Sequence, residues 1–117
     1  MTVIEQVQKI RNSDSSFQTK IIELMRLIPR GKVTTYKLLA HALHCRAYRA
    51  VGNAVGANPF APIVPCHRVV KTDGSVGKFG GGTPEKIALL RQEGIQIKGE
   101  DENAKILNFV EVLFDFH

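Results

Sequence analysis

The stretch TTYKLLAHALHCRAYRAVGNAVGA, residues 34–57, decides how the chain folds. Leu38, Leu39, Ala42 and Leu43 recur at helical spacing after Thr34 and Thr35, either of which can cap a helix through its hydroxyl, and Tyr36 falls in the first turn. His44-Cys45-Arg46 interrupts the pattern. It resumes over residues 47–57, where Ala50, Val51, Ala54 and Val55 form a stripe and Gly52 and Gly56 thin one side. Two short helices across a tight turn spell a helix-turn-helix. Asn58-Pro59 ends the second helix, because a residue before proline avoids helical angles.

Upstream, Ile4, Val7 and Ile10 give a short first helix that the polar run at residues 12–16 breaks. Ser15 or Ser16 then caps a second helix with Phe17, Ile21, Leu24, Met25 and Ile28 on one face, stopped by Pro29-Arg30-Gly31. Downstream, Pro62-Ile63-Val64-Pro65 is extended. Val69-Val70 and Ser75-Val76 flank Thr72-Asp73-Gly74 and predict a short β hairpin or paired loop. Thr83-Pro84 opens a helix that runs to Glu93, with Ile87, Leu90 and Ala88 inward and Gly94 as its stop. Ile95-Gln96-Ile97 alternates like a strand. The spacing of Ile106, Leu107, Val110, Leu113 and Phe114 favours a packed terminal helix, although Phe109, Val112 and Phe116 also admit a strand. The expected fold is mainly α, a winged-helix-like domain with a helix-turn-helix and a short β hairpin or paired loop.

At 117 residues the chain supports one modest core, so residues 1–117 read as a single domain without internal repeats. It has no apolar run near the ~20 residues of a membrane span and no secretory signal pattern, which predicts an intracellular protein. Two cysteines, Cys45 and Cys66, make no disulfide framework and no Cys-x-x-Cys pair. The four histidines show no ligand spacing, so no metal site is expected. A net charge of +5 suits a phosphate backbone without requiring one.

Chemistry concentrates in NPFAPIVPCHRVV, residues 58–70, where a thiol is followed at once by histidine and arginine. A free thiol has a pKa of about 8.5, and adjacent positive charge or a histidine base raises its thiolate fraction. Cys66 is therefore a candidate nucleophile. Neighbours on an extended backbone point to opposite faces, so a structural cysteine beside an unrelated histidine is the competing reading.

Pro65-Cys66-His67-Arg68-Val69 resembles the acceptor-cysteine motif of the O6-alkylguanine-DNA alkyltransferases. Thr35-Tyr36, Arg49-Ala50-Val51-Gly52, Asn58-Pro59 and Glu93 stand in the same order as in that family. The resemblance spans about residues 17–94 and leaves both flanks unassigned. There are three departures. The chain resembles a minimal member, without the N-terminal αβ domain that many relatives carry. Phe79 stands where many have tyrosine, and Gly80 where a small polar residue is frequent.

The resemblance implies that Cys66 accepts an alkyl group from guanine O6, that His67 takes the thiol proton through a water, and that Glu93 orients His67. It implies that Tyr36 crowds the phosphate and assists the leaving guanine, and that Arg49 fills the stack after the nucleotide is flipped out. Thr35, Ala50, Gly52 and Arg68 fall on the implied DNA side, with Lys32, Lys37, Arg46, Lys71 and Lys78 as further phosphate partners. Asn58, Pro65, Val69, Phe79, Gly80 and Gly81 make the implied pocket. The ordinary alternatives are a hydrogen-bonded core histidine, a solvated glutamate, a phosphate-contacting arginine and tightly packed small residues. The implied reaction is a single-turnover methyltransferase-type repair of double-stranded DNA containing O6-alkylguanine, by a monomer without a cofactor, in the cytoplasm beside the nucleoid or in a nucleus. Two rivals are a non-catalytic lesion binder that hands damage to another pathway, and a winged-helix transcription regulator.

Overall fold

The computed structural model describes all 117 residues. Three helix starts are set by side-chain caps. The Thr2 hydroxyl accepts from Glu5 N at 3.2 Å to open α1 (Val3–Asn12), and Ser16 accepts from Thr19 N at 3.2 Å to open α2 (Phe17–Arg26). Thr35, rather than Thr34, accepts from Leu38 N at 3.1 Å to open α3 (Tyr36–Ala42). After a turn in which His44 takes φ 55° and Cys45 N donates to Ala40 O, α4 (Tyr48–Gly56) completes the helix-turn-helix. Ile21, Leu24, Met25, Leu39, Val51 and Val55 pack α2, α3 and α4 into one apolar cluster that includes Cys66.

A second cluster, built on Val33, Val70, Val76, Ile87, Leu90 and Ile106, lies under α5 (Thr83–Gln92). Strand β1 (Thr34–Thr35) pairs in parallel with β2 (Val69–Val70), Thr34 opposite Val69. That ladder ties the start of α3 to the strand leaving the Cys66 turn. Strands β3 (Ile97–Lys98) and β4 (Lys105–Ile106) form an antiparallel pair, and Ser75 bridges to Lys105. The mainly helical, helix-turn-helix architecture is the one expected.

Of the two forms expected after β2 the segment takes the paired loop, closed by Lys71 N to Ser75 O at 3.0 Å, and an antiparallel pair forms later, between β3 and β4. Other details differ. Val69 and Val70 are both completely buried, so their strand needs cover on both faces, which a parallel partner under helices provides. The terminal helix shrinks to α6 (Phe109–Val112). Val33 N donates to Val112 O at 2.9 Å and Phe114 N to Val33 O at 2.7 Å, so the free backbone groups of Val33 recruit the tail as an extended partner. Val112 and Phe116 are buried, whereas Val110 is 86% exposed. On α5 the inward position expected for Ala88 is exposed, and Lys86 is buried with Ile87 and Leu90 instead.

Candidate active site

Asn58 shapes the loop that carries the thiol. Its Oδ1 accepts from Phe60 N at 3.0 Å and its Nδ2 donates to Val64 O at 2.8 Å, stapling both ends of residues 58–64. The chain then enters a single 3-10 turn, Cys66–Arg68, with Cys66 N bonded to Val64 O and Arg68 N to Pro65 O. Cys66 is 8% exposed, and what it exposes opens into a cavity of about 580 Å³. Tyr36, Gly52, Asn58, Phe79, Gly80 and Gly81 line that cavity with it. Pro65 and Val69 are buried and do not line it.

Behind the thiol, Glu93 caps the C-terminus of α5 and gathers two partners. His67 Nε2 stands 3.0 Å from Oε2, while Arg68 donates from Nε to Oε1 at 2.8 Å and from a terminal nitrogen to Oε2 at 2.7 Å. Burial alone would raise the Glu93 carboxyl. The hydrogen bonds and positive charge of Arg68 and His67 outweigh it and hold the group down to about 2. An ionised acceptor at Oε2 fixes the proton of neutral His67 on Nε2, leaving the lone pair on Nδ1. Nδ1 is buried and has no protein hydrogen-bond partner. Burial lowers the His67 pKa, Glu93 partly offsets this, and Arg68 and Lys86 add to it, so the imidazole is neutral at pH 7. A neutral imidazole with a free, oriented lone pair next in sequence to a thiol can act as a proton acceptor.

Tyr36 and Lys86 complete the cavity's polar wall. Burial and, secondarily, the nearby Cys66 raise the Tyr36 hydroxyl above its ordinary value, so it remains protonated and able to donate. Lys86 went unremarked in the sequence. It is 1% exposed, its Nζ donates to Val69 O at 2.7 Å and it lies 6.0 Å from the centre of the Phe79 ring. No carboxylate lies within ion-pair distance of it. Burial lowers its pKa to about 8, against an opposing pull from Cys66. The available signal was positional, since Lys86 is four residues before Leu90 on the inward stripe of α5.

A second, shallower cavity of about 550 Å³ shares Tyr36, Gly52 and Lys78 with the first and adds Arg49, Tyr48 and Lys71. Arg49 and Ala50 are exposed on α4, and nothing lies within 4 Å of where a side chain on Gly52 would begin. Lys37 and Arg46 are exposed, whereas Lys32 Nζ is bonded to Glu111 O at 3.0 Å. Thr35 is 3% exposed, with its hydroxyl engaged as the α3 cap. Arg68 turns its donors inward, to Glu93 and, at 2.8 Å, to Ile28 O.

Comparison with known proteins gives this arrangement a family. Residues 16–95 match the family model described as the DNA-binding domain of 6-O-methylguanine DNA methyltransferase. A methylated-DNA–protein-cysteine methyltransferase from Methanothermobacter thermautotrophicus is 35% identical over 86 residues, which are 74% of this chain and 48% of that protein. One from Pyrobaculum aerophilum is 52% identical over 67 residues, 57% of this chain and 45% of the relative. The chain thus spans about half the length of these relatives. Among solved structures, S. pombe Atl1 in complex with damaged DNA containing O6-carboxymethylguanine has a TM-score of 0.72 at 29% identity, covering 84% of this chain and 94% of that one. Mycobacterium tuberculosis OGT in complex with DNA has a TM-score of 0.65 at 33% identity, covering 77% and 64%. With most of its length matched, including every residue around the buried thiol, the chain belongs to the 6-O-methylguanine DNA methyltransferase family through that family's DNA-binding domain.

Proposed function

We propose that this protein repairs DNA by moving an alkyl group from guanine O6 to Cys66, once per molecule. The observation that carries this reading is a thiol opening into a base-sized cavity with a neutral, Glu93-oriented histidine beside it in sequence. His67 Nδ1 takes the Cys66 proton through a water relay, the thiolate attacks the carbon bonded to O6, and the electron pair of the broken C–O bond goes to the guanine. Tyr36, held protonated, is placed to donate to the departing base. The thioether formed has no easy reverse reaction, which makes the protein its own stoichiometric reagent.

Guanine O6 is hidden within the duplex, so the nucleotide must be flipped at a cost of a few kcal/mol. The exposed Arg49 and the small surface residues Ala50 and Gly52 support close approach of α4 to the minor groove, with Arg49 filling the vacated stack. Lys71 and Lys78 on the adjoining cavity are the phosphate partners this reading favours.

The match to nearly the whole of Atl1 supports a second reading, lesion binding without transfer. Incubation with O6-methylguanine duplex, followed by intact and peptide mass analysis of the native chain and Cys66→Ala, separates the two. Permanent methylation on Cys66 is the expected result. Tight lesion binding with an unmodified thiol would establish the second reading instead.

A further inference from the structure

Tyr48, the first residue of α4, leaves a large aromatic ring 41% exposed beside the exposed Arg49, on a helix whose other exposed positions hold Ala50, Asn53 and Gly56. It packs into neither apolar cluster. Burial therefore does not account for the ring, yet the ring is fixed. Its hydroxyl stands 3.1 Å from Nε2 of His41 in the last turn of α3, and the two rings meet edge to face with centroids 6.0 Å apart. His41 is itself exposed, so the pair holds the ring at the surface instead of drawing it inward. A side chain held this way has already lost rotamer freedom that docking would otherwise remove. Its place gives it a direction. Tyr36, Gly52 and Lys78 line both the Cys66 cavity and the shallower one beside it, whereas Tyr48 and Arg49 line only the shallower one. A nucleotide entering the Cys66 cavity passes the shared residues. Arg49 and Tyr48, on the side away from the thiol, meet the part of the duplex that has not moved. Lys71 and Lys78 make that groove attractive to phosphate, with Glu102 as the one carboxylate on its wall.

We propose that Tyr48 contacts the undamaged strand, its ring packing against the base and sugar left opposite the lesion, and that His41 is the positioning residue that holds it there. This rests on the reading above of α4 as the helix that docks on DNA with Arg49 in the vacated stack, and it extends that reading from the damaged strand to its complement. Flipping a nucleotide takes hydrogen bonds and stacking away from the base it was paired with. Arg49 fills the space, and an aromatic face beside it restores dispersion contact to the orphaned base. The ring carries no charge, so its contribution is not screened by salt as the contacts of Lys71 and Lys78 to phosphate are. The consequence is specificity: the same lesion binds more tightly with a complementary strand than without one.

The test measures equilibrium affinity for an O6-methylguanine oligonucleotide, as duplex and as single strand, over a range of salt concentrations. Each variant is placed in the Cys66→Ala chain, so that no transfer intervenes. Tyr48→Ala is expected to weaken duplex binding about tenfold, the scale of one base–aromatic contact, and to leave single-strand binding nearly unchanged. Its duplex salt slope should match that of the parent chain, whereas Lys78→Gln lowers the slope by about one. Tyr48→Phe, which keeps the ring, retains most of the affinity. His41→Ala weakens duplex binding several-fold when Tyr48 is present and has no effect in Tyr48→Ala, as a residue acting through the ring requires. Unchanged duplex affinity in Tyr48→Ala, a loss shared equally by the single strand, or a reduced salt slope overturns the contact. A His41→Ala loss that persists in Tyr48→Ala overturns the positioning role. Arg49→Ala in the same series separates this proposal from the reading it rests on: if Arg49→Ala weakens duplex binding or slows duplex repair and Tyr48→Ala does neither, α4 docking stands and the proposal falls, and if neither variant changes anything, both fall.

Discussion

Lys86 is a charged side chain in a place where an apolar one would pack better, and that makes it testable apart from any DNA. Its pKa falls from 10.5 to about 8 because burial disfavours the ammonium, which corresponds to about 3 kcal/mol of lost stability at neutral pH. Between pH 8 and 10.5 the unfolded chain holds that proton and the native chain does not, so native stability rises with pH across this window. Lys86→Met is therefore expected to raise stability at pH 7 by about 1–3 kcal/mol, after allowance for the lost bond to Val69 O, and to lose that advantage as the pH approaches 10.5. Thermal unfolding of both proteins at several pH values checks this. His67 gives a prediction of the same sign in a lower pH window. Its pKa lies below 6.5, so the neutral base persists on mild acidification. Single-turnover rates should hold from pH 7.5 down to about 6.5 and fall only below that. The same proton uptake takes stability away as the pH drops below about 6.5, since the unfolded chain then binds a proton that the native imidazole resists. A rate that halves by pH 7 would remove His67 as the base.

At the scale of elements, the thiol is held by a short loop, and the loop is held by one side chain. Asn58 satisfies a donor and an acceptor of residues 60 and 64, beside the backbone bond from Val64 N to Phe60 O at 3.0 Å. Asn58→Ala should cost about 1–3 kcal/mol in chemical denaturation and slow transfer by more than the lost stability explains, because the 3-10 turn at Cys66 loses its lead-in. Equal rates for the two folded proteins would show that the turn holds itself. The caps of α2 and α3 were legible to within one residue, Ser15 or Ser16 and Thr34 or Thr35, since Ser16 and Thr35 act on groups three residues away and need no tertiary context. The tail was not. Helical spacing over residues 106–114 competed with backbone demand from Val33, a residue far away in sequence, and the buried edge prevailed.

For the whole molecule, the question is how a +5 chain distributes its charge. Arg49, Lys71 and Lys78 share one groove beside the Cys66 cavity, while Arg68 and Lys86, equally basic by sequence, are turned inward. No helix is long and apolar enough to cross a membrane. Arg49→Ala should slow repair of duplex substrate roughly tenfold while weakening duplex affinity far less, because a flipped nucleotide needs its gap filled and a phosphate contact is replaceable. Parallel rate and binding titrations on duplex and single-stranded lesions check it, and unchanged duplex repair would remove that role. The order of residues alone determined the helix-turn-helix and the Cys66 motif, and the cap of α3 to within one residue, since periodicity, capping and motif spacing act over a few neighbouring positions. Only the tertiary structure decided that Lys86 lies in the cavity without a carboxylate partner, that Arg68 braces Glu93, and that the C-terminal tail pairs with Val33 beside β1. Each depends on burial and backbone pairing between segments remote in sequence, and no local pattern encodes the dielectric or the partner a side chain meets once the chain has closed.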